Sequence, residues 1–437
     1  MITPRFAPPA ALLILAAIAA ARAEDAPQST ETMVVTGSRL ELVAGQTAQE
    51  VRIYPRERIE RSGQTTVADF LATVPEVSLN SVTSTFVATS VRLRGAREGS
   101  TLILVNGRRT QPASADAAPF GFFDLNTIPL SMVERIEILP NGSSAVYGGE
   151  ALAGVVNIVL RKDFTGVEAT VAYKWADNTD EKSVYGGAGW KSDRAAVSVM
   201  ASYAEQTSLY GKDRDITANP DMRRFGGPNL GSPLFGAPGN ISSVTGNLPG
   251  LNSSFAAVPH GSTGVGLKPS DFAATAGTQN TGSFTQYSKA LPDLHRGGLF
   301  LSADYRLGNG VDLFTEILWS KYKFYLLSAP EFLQLMAVPA TNAFNPFGTT
   351  VRASGVVIGA EDLPRRTFSD EFMRPLAGAR GRVGTWDWEA TAMLARDKGS
   401  SVSFGLAVPA RLTAALASSD PATALNPFVD GPWASGE

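Results

Sequence analysis

The stretch GVEATVAYKW, Gly166 to Trp175, decides the fold. Val167, Ala169, Val171, Tyr173 and Trp175 fall on one face of an extended chain, with Glu168, Thr170 and Lys174 on the other. That period of two marks a strand lying between an apolar and a polar medium. The alternation returns downstream with Ala195, Val197, Val199, Ala201 and Tyr203; with Leu299, Leu301, Ala303 and Tyr305; with Val311, Leu313, Ile317 and Trp319; and with Trp386, Trp388, Ala390, Ala392 and Leu394. Each segment is roughly ten residues long and tends to carry an aromatic near one end, as strands crossing a membrane in a barrel do. About eight such strands are expected after Asp163. A soluble β-sandwich alternates too, but strand length, terminal aromatics, an export signal and the lack of cysteine favour the barrel.

The connections between these strands are unequal. A short polar stretch joins the first two, whereas the chain from about 206 to 295 shows little periodicity and is rich in Gly, Pro, Asn and Ser. Long loops of membrane barrels face the exterior and short turns the periplasm, so this insert is a candidate extracellular cap, with disorder as the other reading.

Upstream, residues 48–162 read as a mixed α+β domain. Its strands are expected at Val51–Tyr54, Ser90–Arg94, Thr101–Val105, Ile136–Leu139 and Val155–Leu160. Thr66 is placed to cap a helix through Phe70, Leu71 and Val74 that Pro75 stops, and a second helix is expected from Pro129 to Arg135. Asn106-Gly107 after an apolar run signals a two-residue hairpin. Residues 24–47 are polar and short of aromatics, a flexible arm. Ahead of them, the apolar run Ala10–Ala21 and the small-residue site Ala21-Arg22-Ala23 fit a signal peptide over 1–23. As a helix that run would reach only about 18 Å, against a hydrocarbon core of roughly 30 Å.

Composition closes other doors. The 437 residues hold 38 Lys+Arg against 41 Asp+Glu, so no basic footprint for nucleic acid exists. No cysteine and only His260 and His295 leave no thiolate site, no metal cluster and no cofactor motif. No GxSxG elbow or Ser-His-Asp order supports an enzyme, and no catalytic residue is assigned.

VRLRGAREGSTLILVNGRRT (Val91 to Thr110) and LNTIPLSMVERIEILPNGSSAVYGGEALAGVVNIVLRKDF (Leu125 to Phe164) closely resemble the plug domain of TonB-dependent outer-membrane receptors, and ETMVVTGSR (Glu31 to Arg39) resembles that family's TonB box. The resemblance implies a plug seated in a barrel of the Gram-negative outer membrane. It implies uptake of a scarce large substrate such as a ferric siderophore, energised by a TonB-type periplasmic protein, with carbohydrate, peptide or cobalamin as other cargo.

Physical reasoning stands beside the resemblance. A domain of about 115 residues is roughly 34 Å across. Eight strands enclose a backbone radius of only about 8 Å, whereas about 22 give a radius near 22 Å. The full barrel is therefore expected to have about 22 strands, with residues 163–437 its first part and the chain truncated after the loop-like Trp433–Glu437. A passive plugged porin, or a truncated product that never assembles, are the readings of another class.

Thr32, Met33, Val34, Val35 and Thr36 form a β-prone peptide able to add to a partner's sheet edge. Arg92, Arg94, Arg108, Arg109, Glu134, Arg135 and Glu137 are candidates for locking a plug in a polar lumen through charge pairs that can be broken. Phe120, Phe122 and Phe123 are candidates for contacting ligand, or for packing on the wall.

Overall fold

A computed structural model of the chain describes residues 34–35, 42–43, 50–81, 89–97, 99–110, 112, 123–162, 164–283, 285, 288–308, 310–327, 332–356 and 365–433. The signal segment 1–23, Thr32, Met33, Thr36, Phe120, Phe122 and the final residues 434–437 lie outside them. In the arm, β1 (Val34–Val35) pairs antiparallel with β2 (Leu42–Val43).

The N-terminal domain follows as strands β3 (Arg52–Pro55), β4 (Val77–Ser81), β5 (Thr89–Leu93), β6 (Thr101–Val105), β7 (Arg108–Arg109), β8 (Val133–Leu139) and β9 (Gly154–Leu160). Helices α1 (Arg56–Arg61), α2 (Val67–Ala72) and the short α3 (Ser144–Tyr147) lie between them. The sheet runs β3-β8-β9-β6-β7, with β6 and β9 parallel, and β4 and β5 form a separate antiparallel pair. All of Thr101–Val105 is buried, as a continuous apolar run in a central strand requires. The Thr66 hydroxyl accepts the Asp69 N–H at 2.8 Å and caps α2, whose Val67, Phe70 and Leu71 enter the core.

The expected helix at Pro129–Arg135 is not formed. One 3-10 turn, Leu130–Met132, leads straight into β8. Val133, Ile136 and Ile138 are β-branched and completely buried, and pairing with β3 and β9 outweighs the local helical signal.

The wall consists of β10 (Gly166–Ala176), β11 (Thr179–Lys191), β12 (Ala195–Gln206), β17 (Asp293–Arg306), β18 (Val311–Leu327), β21 (Arg365–Val383), β22 (Trp386–Met393) and β23 (Arg396–Phe404). Neighbours pair antiparallel in chain order. β22 and β23 lie end to end on β21, in one register, with Met393 opposite Leu376 and Arg396 opposite Met373. The ladder is interrupted at Pro375, which has no N–H to give. The eight strands thus make seven crossings. No helix among the described residues is long and apolar enough to cross a membrane. Outward residues such as Trp175 (76% exposed) and Trp386 (79%) are open, while inward Met200, Phe300, Leu318 and Phe372 join the core of the N-terminal domain. One apolar core therefore spans both bodies.

The insert after β12 is ordered. It contributes β13 (Leu209–Tyr210), α4 (Asp215–Ala218), β14 (Asn240–Ser243), β15 (Phe255–Ala257) and β16 (Lys289–Leu291). The connection after β18 adds β19 (Phe332–Val338) and β20 (Val351–Val356), giving a sheet β15-β14-β20-β19, and the segment after β23 adds α5 (Pro409–Ala417). Phe272, Phe347 and Phe428 meet at ring distances of 5.2 to 6.4 Å inside this cap. Carbonyl groups are taken up by Asn side chains: Asn240 Nδ2 donates to Pro233 O (2.7 Å) and Asn280 O (2.8 Å), and Asn342 Nδ2 to Leu416 O (2.9 Å).

Candidate functional site

Among the polar contacts between the N-terminal domain and the wall, two are deeply buried. The first is centred on Glu316, which alternation along β18 turns inward with Phe314 and Leu318 and leaves only 2% exposed. Its Oε2 accepts Asn106 Nδ2 at 2.8 Å and Arg374 Nη2 at 3.1 Å, and its Oε1 accepts Lys162 Nζ. Arg374, from β21, is fully buried and donates through Nη1 to the Val105 carbonyl at 3.0 Å. Asn106, Val105 and Lys162 thus come from one body, Glu316 and Arg374 from the other. Asn106 can serve because it occupies the left-handed position of the β6–β7 turn (φ 53°), which Asn tolerates. Its Oδ1 meanwhile accepts the Leu160 N–H at 2.7 Å, fixing the amide's direction.

Of the residues expected to lock the two bodies, Arg108 reaches the wall directly, donating to Glu389 at 2.6 Å with its guanidinium over the Phe314 ring. Glu134 reaches it through Arg161, which lies 3.6 Å away and also pairs with Glu168 on β10. The rest act inside the domain. Arg135 pairs with Glu137 at 2.8 Å, Glu137 accepts Asn157 Nδ2 at 3.0 Å, and Asn157 accepts the Gly107 N–H at 2.9 Å. Arg94 donates to Asn141 and Arg109 to Glu150 and the Tyr147 carbonyl. Arg92 is part-buried, and its Nε has no hydrogen-bond partner among the described residues. Glu316, Arg374 and Lys162 were not expected, and Asn106 was expected only in its turn; the signal was a charge at an inward-facing position of a wall strand and an Asn ahead of a turn glycine.

The second contact lies about 20 Å farther along β18. Buried Asp124 accepts the backbone N–H groups of Thr89 (2.9 Å) and Asn126 (3.0 Å) on Oδ1, and the Tyr322 hydroxyl on Oδ2. Burial pushes the Asp124 carboxyl up to about 6, against the lowering pull of the bonds from Tyr322, Asn126 and Thr89. Beside it Phe123 packs edge-on to Phe372 at 5.7 Å, so this aromatic is spent on the wall and not open to ligand. Behind Tyr322 stands Asp370 of β21, 1% exposed, with neither oxygen hydrogen-bonded to a described donor and Asp397 of β23 close by.

This second contact sits at the end of the wall where the long connections 207–292, 328–364 and 405–433 leave the strands. In the cap above, a cavity of about 610 Å³ is lined by Asn219, Asp221, Arg223, Asn229, Phe235 and Thr281, among others. Asp221 and Arg223 neutralise one another at 2.6 Å, while the oxygens of Asn219 and Asn229 accept local N–H groups. Among the described residues no group of His, Asp and Glu side chains is placed to hold a metal ion.

A family model described as TonB-dependent receptor plug domain matches residues 44–155. Among solved structures, the ferric enterobactin receptor PfeA of Pseudomonas aeruginosa, a mutant form, is 16% identical with a TM-score of 0.47, over 87% of this chain and 44% of that one. BauA, the ferric preacinetobactin receptor of Acinetobacter baumannii, is 14% identical with a TM-score of 0.41, over 86% of this chain and 50% of that one. The ferripyoverdine receptor of Pseudomonas aeruginosa is 11% identical with a TM-score of 0.41, over 84% and 44%. The chain thus spans half or less of the length of these structures.

Proposed function

From a chain whose residues 44–155 match the TonB-dependent receptor plug domain, we propose a receptor of the Gram-negative outer membrane that binds a scarce large substrate such as a ferric siderophore at its outer face and imports it under TonB drive. The observation that carries this reading is the character of the plug–wall boundary. Beside the shared apolar core, around Glu316 it carries ion pairs and hydrogen bonds, interactions that water can replace when the plug is pulled. The pull would enter at Thr32–Thr36, whose Val34 and Val35 already adopt strand geometry beside Leu42 and Val43.

The experiment is uptake of a panel of labelled ferric siderophores by cells carrying the full-length gene. Uptake should vanish on deletion of Thr32–Thr36 and on collapse of the inner-membrane proton gradient. Uptake that survives both would make the protein a passive plugged porin instead.

The cap cavity favours a second cargo class. Its one ion pair is internally satisfied, and its lining offers amides, the Thr281 hydroxyl and the Phe235 ring, groups suited to a neutral polyhydroxylated ligand such as an oligosaccharide. Oligosaccharides therefore belong in the same panel, with peptide and cobalamin.

A further inference from the structure

Alternation along the wall settles which side chains point away from the N-terminal domain, and register aligns them from strand to strand. Since Glu316, Leu318 and Tyr322 are buried against that domain, the odd-numbered residues of β18 face outward. Pairing carries this face to the odd-numbered residues of β21 and the even-numbered residues of β23. On it Lys321 stands opposite Glu371, and Glu371 opposite Lys398. One pleat nearer the cap is Lys323, opposite Ser369; one pleat farther from it Met373 stands opposite Arg396.

Lys321, Lys323, Arg396 and Lys398 are all exposed. Lys321 pairs with Glu371 at 3.2 Å, and the same carboxylate accepts Trp319 Nε1 at 3.0 Å. Lys323 lies over the Tyr325 ring at 4.8 Å. Among the described residues Lys323, Arg396 and Lys398 enter no ion pair, so four cations meet one carboxylate and three positive charges stay unmatched. Two strand spacings set Lys321 about 10 Å from Lys398, and two residues set it about 7 Å from Lys323. That is the span of a headgroup with more than one phosphate.

The same face continues away from the cap as an apolar band, with Leu299, Met373 and Leu313 exposed on it. At the far end its side chains are uncharged, Val383 and Trp386 among them. The arginines there, Arg380 and Arg382, belong to the inward set and are engaged by Asp304 and Asp387. On these strands outward positive charge is thus gathered at the cap end.

We propose that Lys321, Lys323, Arg396 and Lys398 dock the phosphate-bearing headgroup of a glycolipid whose acyl chains lie along the apolar band. The ligand has to be amphiphilic, because cations and band share one continuous face; a soluble anion would use the first and leave the second bare. It has to belong to one leaflet, because the opposite end of the face offers no counterpart. A glycolipid with phosphates on its sugars meets both demands, whereas a zwitterionic phospholipid carries no net charge for the cations to neutralise. The site rests on the wall lying in the outer membrane, and neither cargo nor energy coupling enters it.

The test titrates the full-length protein, in neutral detergent, with a fluorescent diphosphorylated glycolipid, with the same glycolipid stripped of its phosphates, and with a zwitterionic phospholipid. The first should bind more tightly than the other two by at least about tenfold. Lys323→Gln with Lys398→Gln should weaken it about 25-fold, about fivefold for each cation removed. Lys323→Arg with Lys398→Arg should keep it, and Arg382→Gln, at the opposite end, should leave it unchanged. Inorganic phosphate should not compete. Equal binding of the stripped glycolipid or of the phospholipid, displacement by inorganic phosphate, full affinity in the Gln pair, or loss of affinity in the Arg pair overturns the proposal, whatever the uptake assays report.

Discussion

The Glu316 contact and the Asp124 contact join the same two bodies by opposite uses of charge. At Glu316 one buried carboxylate faces Lys162 and Arg374 and accepts from Asn106, so positive charge is in excess and the carboxylate is fully engaged. At Asp124 a buried carboxyl accepts two backbone N–H groups and a phenol, with no cation against it among the described residues. The first contact is a lock whose strength hardly depends on protons. The second carries a carboxyl that burial pushes up to about 6, so part of its strength is lost as pH rises through that value.

The largest effect should come from breaking the lock. Glu316→Ala leaves buried Arg374 and part-buried Lys162 without their carboxylate, and removing one member of a buried pair costs about 4 kcal/mol. The expected result is a large drop in the urea concentration that releases the plug, read by exchange of β6 and β9. A double variant, Glu316→Leu with Arg374→Met, should recover much of the loss, because matched apolar residues need no desolvation of charge. If the single variant unseats nothing, the two contacts do not divide the work as argued.

Phe123→Ala tests the apolar half of the outer contact. It empties the place beside Phe372, and a large-to-small change of this kind costs about 3 kcal/mol. The loss should appear at every pH and should leave peptides around Lys162 protected. Tyr322→Phe comes next: it strips Asp124 of its hydroxyl donor at a cost of about 1 to 2 kcal/mol. That loss should be greater above about pH 6 than below it, since the ionised carboxyl needs the donor more. Urea release curves at two pH values separate the two substitutions.

How these contacts came to be hidden in the sequence is itself physical. The wall was legible because a lipid face and a lumen face impose a period of two, and Val171, Trp175 and Trp386 show it openly. The turn at Asn106-Gly107 was legible for its dipeptide, and the cap on α2 for Thr66. Pro129–Arg135 misled, since Pro and the sequence LSM suit a helix start while the sheet on both sides of β8 decides. The cap concealed its order because its sheet joins β14 to β20 across more than a hundred residues and its irregular segments are tied by Asn240, Asn280 and Asn342. Glu316 and Arg374 could be flagged as inward charges, but that both meet Asn106 and Val105 is tertiary information. The arginines singled out by sequence lie on the N-terminal domain and mostly bond within it.

The smallest effect belongs to Arg108, the one expected residue that bridges directly to the wall. Its bond to Glu389 is short at 2.6 Å, but the two side chains keep 22% and 46% of their surface open. Water and salt screen such a pair, so Arg108→Ala should cost under about 1 kcal/mol, part of it from the lost stacking on Phe314. Raising the salt concentration should erase most of the difference between this variant and the unsubstituted protein, while leaving the Glu316→Ala deficit in place, because a buried pair is screened far less. A salt-insensitive loss at Arg108 as large as that at Glu316 would mean that the boundary is one continuous ionic seam, and the distinction between the Glu316 lock and the Asp124 contact would have to be abandoned.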